Sequence, residues 1–129
     1  MTEHASNTVL TEWQNALGAL MTEVRQWCEA QGWEVQQFDK EIREEALGSY
    51  VAPMLGIVVG PRQLWVEPVA RQVVGGEGRV EILIMPSLDH FTLVRKQGQW
   101  HVYDTNIVNI GVLDGVRFVN LIQELSRAA

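Results

Sequence analysis

Residues 54–69 read MLGIVV–GPRQ–LWVEPV, two apolar runs around a Gly-Pro break. Such runs of four to eight residues, rich in branched and aromatic side chains and bounded by turn residues, are strand signals. Taking Gly60 to Gln63 as a four-residue loop sets Val59 opposite Leu64 and Ile57 opposite Val66 on one face. Val58 then faces Trp65, and Gly56 faces Glu67, on the other. Both faces of the hairpin are apolar. Arg79 to Met85 repeats the pattern, with Val80, Ile82 and Ile84 pointing one way and Leu83 and Met85, with Glu81, pointing the other. A sheet that is apolar on both sides needs cover on both sides.

Working outward, Gly75-Gly76-Glu77-Gly78 leads into Arg79 to Met85, Pro86 to His90 turns into Phe91 to Arg95, and Gln97-Gly98 turns into Trp100 to Asp104. A two-residue Gln97-Gly98 loop pairs Arg95 with Trp100, Val94 with His101, Leu93 with Val102, Thr92 with Tyr103 and Phe91 with Asp104. On the N-terminal side Trp33 and Val35 alternate with Glu34 and Gln36, as in an edge strand running into a charged loop. Lys40 to Leu47 also admits a short helix. Five or six antiparallel strands in a meander result.

Helices bracket the meander. Leu10, Trp13, Leu17, Leu20, Val24 and Trp27 follow a 3-4-3-4-3 spacing that places them on one side of a helix. Thr8 or Thr11, the latter with Gln14, can cap it, and Gly32 supplies a left-handed stop. Under three heptads long and flanked by Ala16, Met21 and Cys28, this stripe suits a helix lying on a sheet better than a coiled coil. Asp114 caps a second helix with the stripe Phe118, Leu121, Ile122 and Leu125, and Leu113 with Phe118 has the spacing of a hydrophobic staple. The expected fold is therefore a single α+β domain over residues 1–129, with residues 1–7 a mobile terminus.

Composition agrees with a globular chain: 129 residues, 47% hydrophobic and 20% charged, with one cysteine. Cys28 alone cannot form an intrachain disulfide, and Met1-Thr2-Glu3-His4 lacks the features of a signal peptide, so a reducing cytoplasm is the expected compartment. The ten-residue apolar run Tyr50 to Val59 contains Pro53 and Gly56 and is too short to span a bilayer. Nine acidic and three basic residues fall within positions 1–50, against seven of each in 51–129, so the net charge of −6 belongs to the first part. Such an acidic segment repels phosphate backbones and steers basic partners. Neither nucleic acid nor membrane is expected as a partner.

Chemistry-bearing clusters are sparse. His101, Tyr103 and Asp104 share a strand near Asp89 and His90, but alternation separates His101 from Asp104, and no catalytic residue is assigned. Cys28 flanks the apolar stripe, where burial suppresses thiol reactivity. One cysteine and three scattered histidines hold no structural metal, and no cofactor is expected. Gly75 to Gly78 precedes a strand instead of a helix and carries a glutamate, so it reads as a hairpin loop and not a phosphate cradle. Arg62, Arg71, Arg79, Arg95 and Lys96, interleaved with Trp65 and Trp100, form the one basic cluster, and Arg95 is accounted for as cover for Trp100.

With both helices on the face of Ile57, Val66 and Ile82, the residues Val58, Trp65, Val69, Leu83 and Met85 form a patch that needs another cover, the mark of an interface. One helix on each face, or cover by Thr105 to Val112, would instead bury it. The sequence thus points to a small acidic protein-interaction module of adaptor, chaperone-like or immunity type that binds a protein partner or itself as a homodimer. An enzyme is the less favoured class. The alternative is a small-molecule domain with a pocket between sheet and helices lined by Trp13, Trp33 and Trp100, weakly catalytic through His101 or Tyr103.

Overall fold

The computed structural model describes residues 3–127, with side chains described from 7 to 124. Helix α1 (Glu3–Ala30) leads into seven strands, β1 (Glu34–Glu44), β2 (Gly48–Val59), β3 (Arg62–Ala70), β4 (Arg79–Met85), β5 (Asp89–Lys96), β6 (Gln99–Tyr103) and β7 (Asn109–Val112), and the chain closes on α2 (Gly115–Arg127). All strands lie in chain order in one antiparallel sheet. The α+β meander between terminal helices matches the sequence reading. Its count of five or six strands falls short by β7, which is only four residues long and is interrupted by Gly111 at φ 124°.

Local chemistry accounts for the element ends. Gly32 adopts φ 77°, the Trp33 amide donates to the Cys28 carbonyl and the Gly32 amide to that of Glu29, which is the Schellman stop. The start of α1 differs from expectation. It begins at Glu3, so Thr8 and Thr11 lie inside the helix and do not cap it, and residues 3–7, read as a mobile terminus, have helical backbone. At the other end Asp114 Oδ1 accepts from the Arg117 amide at 2.7 Å and caps α2 as expected. Phe118 belongs to the core cluster and Leu113, partly buried, packs against it, while the side chain of Leu125 lies outside the described residues.

Three register details separate sequence from structure. Gln97 (φ 52°) and Gly98 (φ 76°) form a two-residue turn with both residues left-handed, and the pairs Arg95/Trp100, Val94/His101, Leu93/Val102 and Thr92/Tyr103 follow. Phe91 has no Asp104 partner, because β6 ends at Tyr103 and Phe91 pairs with Ile82. Between β2 and β3 the loop is Gly60-Pro61, not Gly60 to Gln63. Val59 pairs with Arg62, Ile57 with Leu64 and Gly56 with Trp65. Gly60 at φ 58° followed by proline, whose ring holds φ near −65°, suits a tight hairpin turn. The shift is two residues, so each side chain keeps its face. Lys40 to Glu44 continues β1, and the short-helix reading of Lys40 to Leu47 is overturned. Glu41 and Arg43 face solvent along the sheet edge, where charge guards against unwanted strand pairing, while Lys40 pairs with Glu67 at 2.8 Å and Glu44 is half-buried.

One sheet face carries the core. Ile57, Leu64, Val66, Val80, Ile82, Ile84, Leu93 and Val102 are buried with Trp13, Leu17, Leu20, Met21, Val24 and Cys28 of α1 and Phe118 and Ile122 of α2. The Trp27 ring meets Phe118 at 5.7 Å and joins the two helices. Each fully buried aliphatic or aromatic side chain contributes about 1.5–3 kcal/mol.

Along β2 the buried set changes parity at Pro53, with Tyr50 and Ala52 buried before it and Leu55, Ile57 and Val59 after it. Because β3 pairs with β2 only along Leu55–Val59, the distal part of the β1/β2 hairpin is free to turn toward α1. There Trp13 Nε1 donates to Tyr50 Oη at 3.0 Å and Gln14 Nε2 donates to the Val51 carbonyl at 3.2 Å.

Gly78, at φ 141°, lies directly beneath the Trp13 ring, and a Cβ there would fall inside van der Waals contact with it. Gly78→Ala therefore combines backbone strain with a clash in the core and is expected to cost about 3 kcal/mol or more. Urea unfolding followed by tryptophan fluorescence measures this, and a loss below about 1 kcal/mol would show that the ring can move aside.

Candidate functional site

Both helices lie on the core face, so the opposite face of the sheet has no layer over it. Helix α2 does not cross to that side, and residues 109–112 extend the sheet as β7 instead of covering it. The uncovered face divides into an apolar half on β1–β4 and a polar, cationic half on β4–β7.

Trp65 centres the apolar half. It pairs with Gly56 on one side and Leu83 on the other, and the neighbouring row is Val58, Gln63 and Met85. Val58 is 45% exposed, while Trp65, Leu83 and Met85 are half-buried. Val69 is also half-buried, but it lies past the Glu67/Glu81 pair, at the bulge between Pro68 and Ala70. The sheet thus brings together Val58, Trp65, Leu83 and Met85 and sets Val69 apart.

Sequence reasoning missed Phe38, which is 41% exposed and packs on Trp65 at 5.7 Å. Gly56 makes room for both rings, since a Cβ there would lie 3.0 Å from Trp65 Cζ3 and 3.2 Å from Phe38 Cε2. The available signal was parity: Phe38 is out of phase with Trp33 and Val35 and so points to the other face.

Two loops border the cationic half. The β3–β4 loop (residues 71–78) is anchored by Glu44, whose carboxylate accepts from the Arg71 and Gln72 amides at 3.0–3.1 Å and from the Tyr50 hydroxyl. The loop is stitched to the end of β5 by Glu77 N to Arg95 O, Arg95 N to Gly78 O and Gln97 N to Glu77 Oε1. Gly76 rests on Val94 so closely that a Cβ would overlap it. The Gly75 to Gly78 run is thus a hairpin loop whose glycines permit close approach.

Across the groove, Asp104 Oδ1 accepts from the Asn106 amide at 2.9 Å and the Val108 amide at 3.0 Å, shaping the β6–β7 loop (104–108). Between the loops lies a groove of about 590 Å³ whose floor includes Arg79, His90, Thr92, Val94, Lys96 and Tyr103.

The basic cluster read from sequence is split by the sheet. Arg62 and Arg95 share the helix-side face with Val59 and Trp100, Arg71 is in the loop, and Arg79 and Lys96 border the groove. Lys96 donates to the Tyr103 hydroxyl and sits 5.1 Å from the Tyr103 ring centroid, and Arg79 pairs with Glu81.

His101 and Tyr103 share the outer face, but His101 Nδ1 contacts Asn109 Nδ2 at 3.3 Å while Asp104 binds its own loop. Among the described residues no group of three or more His, Cys, Asp and Glu side chains could hold a metal. None of the described helices is long and apolar enough to cross a membrane. On the core side Trp13 is buried against Trp100 at 6.0 Å, and a pocket of about 270 Å³ between α1 and the sheet is lined by Leu20, Glu23, Arg95, Trp100 and Leu113, so of the three tryptophans expected around such a pocket only Trp100 lines it.

The exposed carboxylates of the first 50 residues, among them Glu12, Glu23, Glu29, Glu34, Asp39 and Glu41, are in solvent, whereas Glu44 is spent on the loop. Burial, aided by Glu29, pushes the Cys28 thiol from 9.0 up to about 12, and burial and the Glu44 contact raise Tyr50 as well. Both groups are neutral when protonated. The unfolded chain therefore ionises first, and their stabilisation is complete below about pH 9 and is lost as pH rises toward 12. Urea midpoints should fall as pH is raised through this window, and a thiol reagent at pH 8 should label Cys28 only after unfolding. Rapid labelling of the native protein would contradict its burial.

Asp104→Ala should leave the core intact and speed hydrogen exchange at Asn106 and Val108, with a stability loss of about 1–2 kcal/mol. Unchanged protection would mean that the loop is held by other contacts. Comparison with protein-family models, with curated proteins and with solved structures finds no match to this chain.

Proposed function

We propose that the chain is a protein-interaction module whose uncovered sheet face, centred on Trp65, associates with a second copy. The observation that carries this reading is the placement of both helices on one face, which leaves Phe38, Val58, Trp65, Leu83 and Met85 without a second layer. A cluster of rings and aliphatic groups on a flat sheet matches the centre of an interface, where aromatic residues dominate the energetics.

Strands are about 4.8 Å apart, so β1–β4 presents a strip roughly 19 Å wide. An apolar patch of that scale reaches about 300–600 Å², whereas a stable interface takes roughly 800 Å² from each partner. Association therefore draws in the polar rim of Glu34, Gln36 and Gln63. A two-fold axis through β2–β3 would stack the Trp65 clusters and leave β5–β7 outside the contact. An adaptor, chaperone-like or immunity-type partner occupying the same patch is the heterologous form of this reading.

Light scattering during size exclusion over a wide concentration range tests self-association. The expected outcome is a monomer–dimer equilibrium that Trp65→Ser and Val58→Asp each shift to monomer, with unchanged far-ultraviolet circular dichroism. Val58 is exposed enough that its replacement leaves the core untouched, so this variant remains informative if Trp65→Ser unfolds. A wild-type chain that stays monomeric at millimolar concentration overturns the homodimer.

A further inference from the structure

We propose that the groove between the β3–β4 and β6–β7 loops docks a short extended segment of a partner protein, one that carries carboxylates flanked by aliphatic or aromatic side chains. Charge complementarity is the first argument. In a chain of net charge −6, Arg79, His90 and Lys96 come together along this groove against a single lining carboxylate among the described residues, Asp104, with Glu81 paired to Arg79. Among the described residues Lys96 has a hydroxyl and a ring face as partners but no carboxylate. Arg79 engages Glu81 through Nε and Nη2, which leaves Nη1 to an incoming acceptor. Asp104 and Glu77 keep their charge, but each turns one carboxylate oxygen onto the backbone, Asp104 to the Asn106 and Val108 amides and Glu77 to the Gln97 amide, and neither pairs with Lys96.

The loop tips supply the second argument. Val74 is fully exposed and Ile107 is 82% exposed, and the two belong to opposite walls of the same groove. Ile107 has φ 62°, a conformation that a β-branched residue adopts at a cost of about 1–3 kcal/mol. An aliphatic group held in water on a strained backbone does nothing for the core. It does offer apolar contact to whatever enters the groove. Because Glu44 and Asp104 already order the two loops, little freedom is lost on binding. A phosphate backbone fits less well, as it needs a longer run of unpaired cations and no aliphatic walls.

The proposal rests on the reading of the chain as an interaction module but not on self-association, since the groove lies on β4–β7 and the dimer patch on β1–β4. The test is selection of a random dodecapeptide display library on the full chain, with counter-selection on the Arg79→Glu, Lys96→Glu double variant. A synthetic peptide of the enriched sequence is then titrated by fluorescence polarisation, beside a labelled oligodeoxythymidine.

The expected result is enrichment of Asp or Glu next to aliphatic or aromatic residues. Binding should weaken at least about tenfold in the charge-reversed variant and also in Val74→Ser, Ile107→Ser, with the solution mass of each variant unchanged. No enrichment, a consensus without acidic residues, equal binding by the charge-reversed variant, or tighter binding of the oligonucleotide than of the peptide each overturns the groove assignment. Loss of the dimer with peptide binding intact removes only self-association, and the converse removes only the groove.

Discussion

The contact on which the architecture turns is made by Trp13. Its ring lies over Gly78 and against Trp100, and its Nε1 donates to Tyr50. Tyr50 in turn donates to Glu44, whose carboxylate holds the backbone of Arg71 and Gln72. One side chain of α1 is thereby connected to the β1/β2 hairpin, the β3–β4 loop and the β5/β6 hairpin. A buried indole N–H requires an acceptor and a ring of that size requires a gap in the sheet. Tyr50 and Gly78 meet those two needs. The parity change at Pro53 follows from the same contact, because it turns the distal hairpin toward the helix.

Placing both helices on one face fixes what the other face can be. The strands were expected to need cover on both sides, and the fold supplies it on one. What is left uncovered is not uniform. Alternation on β2, β3 and β4 puts Trp65, Leu83 and Met85 outward, while alternation on β5 and β6 puts Thr92, His101 and Tyr103 outward. The border between the halves is β4, where Leu83 belongs to one and Arg79 to the other. A two-fold contact through the apolar half and a peptide in the cationic half are therefore compatible on one molecule.

The candidate site was partly legible. Period-two patterning identified Val58, Trp65, Leu83 and Met85 as sharing a face, and a two-residue register error left that face unchanged. Phe38 was missed because β1 was weighed as a charged edge, and Val69 was included because a bulge is invisible to alternation. Of the groove, only the membership of Arg79 and Lys96 in a basic cluster was legible. Val74 with Arg79, Lys96, and Ile107 lie on three separate stretches of the chain with no common spacing, and only the folding of two loops toward each other brings them to one place.

By itself the sequence determined the α+β class, the helical stripe, the Gln97-Gly98 register, the Gly32 stop and the Asp114 cap, because each depends on groups within a few residues or on a strict period. Tertiary structure decided the seventh strand, the continuation of β1 through Lys40 to Glu44, the shorter Gly60-Pro61 turn and the side of the sheet on which α2 lies. Those outcomes depend on neighbours distant in the chain. A four-residue strand such as β7 exists only because β6 offers it hydrogen bonds, and α2 lies where Phe118 can meet Trp27.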